Sequence, residues 1–149
     1  MIIQDCTEKY LDQAIKLGKE FYETSDFPNY MGWDLKETAK NLHLIMTDDA
    51  YDFLLLIDDG EVVGMIAGGV LPAFFSKALI AQEQFWYVKP SKRGIMGLKL
   101  LDAWEKRMVK KGAENFIMMT LACNRDMAKL FERKKYQKIE TIFIKKATL

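Results

Sequence analysis

The spacing of hydrophobic and polar positions changes several times along the chain, and each change marks a predicted element. Ile2 to Asp5 alternates as a short strand, and Thr7 then opens a helix whose apolar positions continue to about Glu23. Asp34 is placed to cap a second helix that ends near Met46. The first fifty residues therefore predict one strand followed by two helices.

Residues 51 to 89 predict three consecutive strands. Two apolar runs, Tyr51 to Ile57 and Val62 to Leu71, are separated by Asp58-Asp59-Gly60. An Asp-Gly pair between apolar runs is typical of a tight hairpin turn. The third strand of this group is predicted from about Ala78 to Lys89.

The last sixty residues predict two helices and two strands in alternation. The helices are expected near Gly97 to Lys111 and Arg125 to Arg133, and the strands at Asn115 to Leu121 and Lys138 to Lys145. Gly112 follows two lysines and is typical of a helix end. The predicted order is β-α-α-β-β-β-α-β-α-β, an α/β (α+β) chain with about six strands and four helices.

Length and composition favour one domain over residues 1 to 149. The chain is 50% hydrophobic, enough for a sizeable core, and no linker rich in Pro, Gly or Ser divides it. Cys6 and Cys123 are too few for a disulfide framework or a zinc site, so we expect no metal and a reducing compartment. With no signal-peptide pattern and no apolar run near the ~18 residues of a membrane helix, we expect a cytoplasmic protein without membrane contact.

Charge is balanced in total but uneven along the chain. Residues 1 to 60 contain 5 Lys or Arg against 13 Asp or Glu, and residues 61 to 149 contain 17 against 8. This asymmetry favours an anionic cofactor on the C-terminal half and an amine substrate near the N-terminal half, although solvated faces without any partner are the alternative. Nucleic-acid-binding proteins usually show an overall basic bias. The net charge here is +1, so we expect no nucleic-acid partner.

The segment from Phe85 to Gly97 predicts a strand, a tight turn and the start of a helix. The strand stops at Pro90, which has no N–H for a ladder, and two glycines let the backbone curl before the helix. Backbone N–H groups in such a turn converge on one point and favour a phosphate, to which Lys92 and Arg93 add positive charge. The alternative is an ordinary turn with two solvated cations.

This segment resembles the acetyl-CoA loop of the GNAT superfamily of N-acetyltransferases. It is most similar to short bacterial and phage members with the pattern E-x-x-W-Y-V-x-P-x-x-R-G. The matching residues are Glu83, Trp86, Tyr87, Val88, Pro90, Arg93 and Gly94. Gly97 lies one residue early relative to Arg93, so the turn is either one residue shorter than usual or begins its motif at Lys92.

Residues 124–136 carry a second resemblance to the same family, whose segment reads N-x-x-A-x-x-L-Y-E-K-x-G-F/Y. The matching residues are Asn124, Leu130, Glu132, Arg133 and Tyr136. Ala128 is one place from the commonest spacing, Lys135 replaces the glycine, and Phe131 replaces a Tyr that often protonates the CoA thiolate. Apart from any resemblance, Asn124 is suited to cap a helix.

The resemblance implies a GNAT fold with a central, mixed and mostly antiparallel twisted sheet. It also implies acetyl-CoA as cofactor and transfer of its acetyl group to a primary amine of a small molecule or a protein. Main-chain groups of Trp86 and Val88 would bind pantetheine where two strands diverge. The full set of implied cofactor contacts is Trp86, Val88, Lys92, Arg93, Gly94, Ile95, Met96, Gly97, Asn124 and Phe131.

Glu83 is the candidate general base, acting directly or through water. A partly buried carboxylate has a raised pKa and accepts protons near neutral pH. Strict strand alternation places Glu83 with Phe85 and Tyr87, away from Trp86 and Val88, so a β-bulge is needed to re-aim it. A solvated glutamate on an edge strand is the alternative.

The acceptor is expected between the first two helices, where GNAT substrates usually enter. The candidate residues there are Asp26, Phe27, Tyr30 and Trp33. Asp26 is suited to attract an amine and the aromatic rings to line a pocket, whereas rings that only anchor the loop to the core are the alternative. Two further possibilities stay open: a homodimer, and a catalytically weak CoA-binding or protein-interaction module on the same fold.

Overall fold

A computed structural model describes residues 1–147, and that part of the chain forms five β-strands and four α-helices. In chain order the elements are β1 (Ile2–Asp5), α1 (Glu8–Glu23), α2 (Leu35–Thr47), β2 (Tyr51–Asp58), β3 (Glu61–Pro72), β4 (Leu79–Val88), α3 (Ile95–Lys110), β5 (Ala113–Ile117) and α4 (Arg125–Arg133). The helices α1 and α3 have 16 residues each and both carry charged residues along their length. None of the described helices is suited to span a bilayer.

Short polar side chains and positive φ angles set several element boundaries. Asp34 Oδ1 accepts a hydrogen bond from the Glu37 N–H at 2.9 Å, which confirms it as the cap of α2. At the β2–β3 turn, Asp59 has φ 47° and Gly60 has φ 80°. These values are those of the tight hairpin turn that the Asp-Gly pair predicts. Gly112, with φ 95°, ends α3 as expected.

The five strands form one sheet in the order β1-β2-β3-β4-β5. The first three pairs are antiparallel, and β5 joins β4 in parallel. The helices α1 and α2 cover one face of the sheet, where Leu17 packs among buried residues such as Leu55 and Met65. On the opposite face, Trp104 of α3 is fully buried in a second cluster that includes Ile66.

The prediction of a sixth strand at 138–145 is wrong, because residues 134–147 contain no strand. Ile142 is 76% exposed and Phe143 is 90% exposed. An alternating pattern expresses only a local preference, whereas a strand also needs a neighbouring strand to complete its backbone hydrogen bonds. The strand β5 is also shorter than predicted, since it ends at Ile117 and residues 118–121 leave the sheet.

Candidate active site

The strands β4 and β5 run side by side and then diverge. Their pairing joins Leu79–Gln82 to residues between Ala113 and Ile117. Beyond this point β5 ends, while β4 continues to Val88. Within the described residues, the β5 side of Glu83–Val88 therefore has no strand neighbour, and its backbone polar groups face a gap. The resemblance implied a divergence of these two strands, and we refer to the gap as the fork.

A β-bulge lies on β4 at the mouth of the fork. Ala67 of β3 is opposite Phe85, and the next residue, Gly68, is opposite Glu83, so Gln84 is the extra residue. Directly opposed residues share a face of the sheet. Because a side chain on Gly68 would point at Trp104 of α3, Glu83 lies on the α3 face. The bulge that strand alternation required is present.

The Glu83 carboxylate is buried and accepts one hydrogen bond from a backbone N–H group. The residue is 4% exposed, and its Oε2 accepts a hydrogen bond from the Met119 N–H at 3.2 Å. Burial raises the pKa of Glu83 to about 7, and the Met119 N–H opposes that rise. A carboxylate with this pKa accepts a proton near neutral pH and releases it again.

Gly68 permits the close packing behind the bulge. A Cβ on Gly68 would lie 2.4 Å from the Gln82 carbonyl oxygen, 2.5 Å from Trp104 Cζ2 and 2.8 Å from Glu83 Cα. The Trp104 Nε1–H donates to the Gly68 carbonyl at 3.5 Å. Glycine at this position therefore lets α3 approach the sheet directly behind Glu83, a requirement that the sequence pattern did not indicate.

The turn after β4 ends in a helix N-terminus that faces solvent. Pro90–Lys92 forms a short 3₁₀ turn, and Gly94, with φ 126°, leads into α3. The Leu98 N–H bonds back to the Gly94 carbonyl at 3.3 Å, so the N–H groups of Ile95, Met96 and Gly97 have no intrahelical acceptor. The helix starts two residues earlier than predicted, with exposed Ile95 in its first turn.

The two cations of this turn are held in different ways. The Lys92 ammonium pairs with Asp58 at 2.7 Å, and this pairing raises the pKa of Lys92 and lowers that of Asp58. Arg93 Nε donates to the Val88 carbonyl at 3.0 Å, and its guanidinium lies 5.9 Å from the Tyr87 ring. This bond uses one of the five N–H groups of Arg93.

The helix α4 closes the α3 side of the fork. Asn124 is its N-cap, and its Oδ1 accepts from the Met127 N–H at 3.2 Å. The buried Phe131 ring lies 6.2 Å from the Trp86 ring and 5.4 Å from the Tyr136 ring. These rings bring the second sequence motif against β4.

Two residues that the sequence analysis did not single out fix α4 to α3. Glu105 accepts from the Tyr136 hydroxyl at 2.5 Å, and Lys134 pairs with Glu105 at 3.2 Å. Burial and the neighbouring Glu105 carboxylate raise the pKa of Tyr136. The sequence alone gives no sign of this ion pair, because Glu105 and Lys134 are 29 positions apart and come together only in the folded chain.

The Trp86 indole N–H is buried near Phe131 and has no hydrogen-bond partner in the described part of the chain. A buried donor without an acceptor is costly, by about 1 to 3 kcal/mol. Together with the backbone N–H groups on the β5 side of Glu83–Val88 and the open N–H groups of α3, this donor gives the fork several unmatched N–H groups. Such a set fits a ligand with carbonyl and phosphate oxygens. Residues 1–147 contain no cluster of side chains suited to a metal ion.

A cavity of about 200 Å³ lies on the opposite face of the sheet, between α1, α2 and β4. Phe27 and Trp33, two of the predicted acceptor residues, line it. Asp26 and Tyr30 are exposed and are not among its lining residues. Gln84, the extra residue of the bulge, also lines the cavity and was not predicted as a site residue. The bulge thus places Glu83 and Gln84 on opposite sides of the sheet.

Comparison with known proteins gives a family match over most of the chain. Residues 12–136 match the family model described as the acetyltransferase (GNAT) family. A search of curated proteins found no match.

Solved structures with the same fold include several N-acetyltransferases. One is the aminoglycoside antibiotic 6'-N-acetyltransferase AAC(6')-IG from Acinetobacter haemolyticus, with 13% identity, a TM-score of 0.78, and coverage of 100% of this chain and 99% of that one. AAC(6')-Iy in complex with a bisubstrate analog has 15% identity and a TM-score of 0.79, with 99% and 98% of the two chains covered. A ribosomal-protein-alanine N-acetyltransferase from Brucella melitensis biovar Abortus 2308 has 16% identity and a TM-score of 0.75, covering 99% and 100%. These similarities show a shared fold.

Proposed function

This chain belongs to the acetyltransferase (GNAT) family, and on that premise we propose that it is an acetyl-CoA-dependent N-acetyltransferase. The acceptor is a primary amine of a small molecule or a protein. The observation that carries the proposal is the fork, which has at its apex the Glu83 carboxyl group with its pKa of about 7. Strand divergence provides backbone donors, and the carboxylate provides a proton acceptor at the same place.

The donors around the fork support acetyl-CoA as the cofactor. The N–H groups of Ile95, Met96 and Gly97 are suited to the pyrophosphate, as are the remaining N–H groups of Arg93. The unpaired edge of β4 at Trp86 is suited to the pantetheine amides. Lys92 would have to leave Asp58 to reach a phosphate, so we assign it a smaller part than Arg93.

Acetyl-CoA supplies an acetyl thioester, and the protein must align it with the acceptor. The backbone at the fork holds the thioester, and the cavity beside Gln84 holds the acceptor on the other face of β4. Because Glu83 and Gln84 lie on opposite sides of the sheet, Glu83 accepts the proton that the attacking amine loses through water in the gap of the fork. The amine nitrogen forms a bond to the acetyl carbon, and the carbon–sulfur bond breaks with its electron pair on sulfur.

The leaving thiolate takes its proton from water. Phe131 has no acidic proton, and the Tyr136 hydroxyl is bonded to Glu105 with a raised pKa. A thiolate is a weak base, since a cysteine thiol has a pKa of about 8.5, so the lack of a side-chain acid at this step costs little rate.

Structural neighbours named for aminoglycosides and for a ribosomal-protein alanine support an amine as acceptor. We place the reaction in a reducing compartment such as the cytoplasm. This is supported by Cys6 and Cys123, both of which are free thiols in the structure.

The test is release of free thiol from acetyl-CoA in the presence of a panel of primary amines. The proposed enzyme releases thiol only when both acetyl-CoA and an amine are present, and mass spectrometry finds the amine heavier by one acetyl group. No acetylated product from any amine class, with the protein folded, would overturn the proposal.

A catalytically weak CoA-binding module is the second candidate. It is favoured by Phe131, which stands where the family often has the Tyr that protonates the CoA thiolate. In that case acetyl-CoA still stabilises the fold against heat, because a ligand at about 100 times its Kd adds roughly 2.7 kcal/mol. Stabilisation without amine-dependent thiol release would select this second candidate.

A further inference from the structure

Aromatic rings form half of the lining of the cavity beside the bulge. These rings belong to Phe21, Tyr22, Phe27, Trp33 and Phe85. The Tyr22 and Trp33 rings contact each other, with centroids 5.5 Å apart. The cavity therefore has hydrophobic walls on the face of β4 where the acceptor is proposed to bind.

Among residues 1–147, those that line the cavity include no Asp, Glu, Lys or Arg. Two of its hydroxyl groups already bond to the protein, since Tyr22 donates to the Met31 carbonyl at 2.7 Å and Thr38 donates to the Asp34 carbonyl at 2.7 Å. Gln84 then supplies the remaining polar side chain. Removing charge from water without a paired counter-charge is strongly unfavourable. This wall is poorly suited to a polycation.

The volume of the cavity sets the size of the group that it can hold. A dry cavity of about 150 Å³ lined by apolar side chains accommodates benzene. The cavity here measures about 200 Å³, which suits one phenyl ring or a branched alkyl group of similar size. A molecule with several linked sugar rings would place most of its rings outside this cavity, in solvent.

Resting on the acetyltransferase function proposed above, we propose that the acceptor is a monoamine with one phenyl-sized apolar group next to its primary amine. The apolar group lies between Phe27 and Trp33, and the amine lies at the bulge beside Gln84. Before it loses its proton, an ammonium there is attracted to the faces of the aromatic rings. The acetyl group then moves from sulfur to this nitrogen, and CoA leaves as the thiolate. The proton passes through water in the gap of the fork to Glu83 on the other side of the sheet.

The experiment compares 2-phenylethylamine with two polycations, spermidine and neamine, at saturating acetyl-CoA. We expect kcat/KM for 2-phenylethylamine to exceed that of both polycations by at least about tenfold. Trp33→Ala and Phe27→Ala should each lower kcat/KM for 2-phenylethylamine about tenfold and leave the KM for acetyl-CoA unchanged. Phe74→Ala is the matched control, because Phe74 is 92% exposed on the turn between β3 and β4 and should change neither value. A preference for spermidine or neamine would overturn this inference and leave the acetyltransferase function standing.

A binding measurement decides the inference even where no turnover occurs. Saturation-transfer NMR of 2-phenylethylamine with CoA present should show contact with the wild-type protein, and a weaker signal with Phe27→Ala. The Phe27 side chain is 39% exposed on a short 3₁₀ turn, so its truncation should leave the fold intact. If no amine is acetylated, the proposed function fails, and a signal that depends on Phe27 then supports only the binding of such an amine in the cavity. No signal from the wild-type protein overturns the inference.

Discussion

The Glu83 carboxylate and the Met119 backbone N–H are joined by a 3.2 Å hydrogen bond across the apex of the fork. Glu83 belongs to β4, and Met119 follows β5, so the bond ties the two strands together where their ladder ends. Because a backbone N–H stabilises a carboxylate, the bond limits the rise in pKa that burial causes. The position of this bond links the proposed base to the opening of the cofactor site.

Glu83→Gln should lower kcat by about 10² to 10⁴-fold near neutral pH. Glutamine keeps the size of the side chain and an oxygen for the Met119 N–H, but it accepts no proton. The KM for acetyl-CoA should stay unchanged, as should heat stabilisation by acetyl-CoA. A variant that keeps more than about a third of wild-type turnover would show that water or a pre-deprotonated amine replaces Glu83.

The stability of the protein should fall as pH rises from about 4.5 to 7 because of Glu83. Its pKa is about 7 in the folded protein against an ordinary value of 4.5, so the folded state binds the proton more tightly in this range. The loss is complete above pH 7 and amounts to about 3 kcal/mol at most. Glu83→Gln should therefore be more stable than the wild type at pH 8, with a smaller difference at pH 4.5. Urea unfolding at the two pH values measures the free energy of unfolding of both proteins. If the variant and the wild type differ by the same amount at both pH values, the burial of the Glu83 charge is contradicted.

Arg93→Ala should raise the KM for acetyl-CoA roughly tenfold or more and change kcat little. A hydrogen bond to a charged group contributes about 1.5 to 3 kcal/mol, which corresponds to that range. The matched control is Lys92→Ala, because the Lys92 ammonium is already paired with Asp58. Initial rates at varied acetyl-CoA measure both variants. An equal effect of the two would mean that Lys92 leaves Asp58 for the cofactor.

Gly68→Ala should lower the free energy of unfolding by about 1 to 3 kcal/mol, as overpacking in a close-packed core does. Its Cβ would meet the Gln82 carbonyl and the Trp104 ring within 2.5 Å. Gly32→Ala is the control, since nothing lies within 4 Å of a Cβ there and the change should stay within about 0.5 kcal/mol. Urea unfolding compares the two, and similar losses would argue against close packing behind the bulge.

Tyr136→Phe should keep kcat within about threefold of the wild type and lower stability by about 1 to 2 kcal/mol. The hydroxyl is bonded to Glu105 and has a raised pKa, so its loss removes a structural contact and no acid. Steady-state rates and thermal melting measure the two effects. A tenfold or greater loss of kcat at unchanged KM would instead identify Tyr136 as the acid for the thiolate.

The sequence was sufficient to predict those elements whose structure depends only on residues within the same short segment. Apolar spacing and the Asp34 cap located α2, and the Asp-Gly pair located the β2–β3 turn with its positive φ angles. These features depend on residues a few positions apart, so their physics is visible in a short window. The motif around Glu83 and Arg93 also lies within one short segment, and it indicated the family that the family match shows.

Tertiary structure decided the features that depend on distant residues. The direction of Glu83 follows from its pairing with Gly68, and its pKa follows from burial that no neighbouring residue in sequence reveals. The absence of a strand at 138–145 within the described residues likewise depends on a pairing edge and not on the apolar pattern of the segment itself. Sequence thus determined the local elements and the family. The register between strands determined where the reactive carboxylate points, because hydrogen bonds between strands are made by residues far apart in the chain.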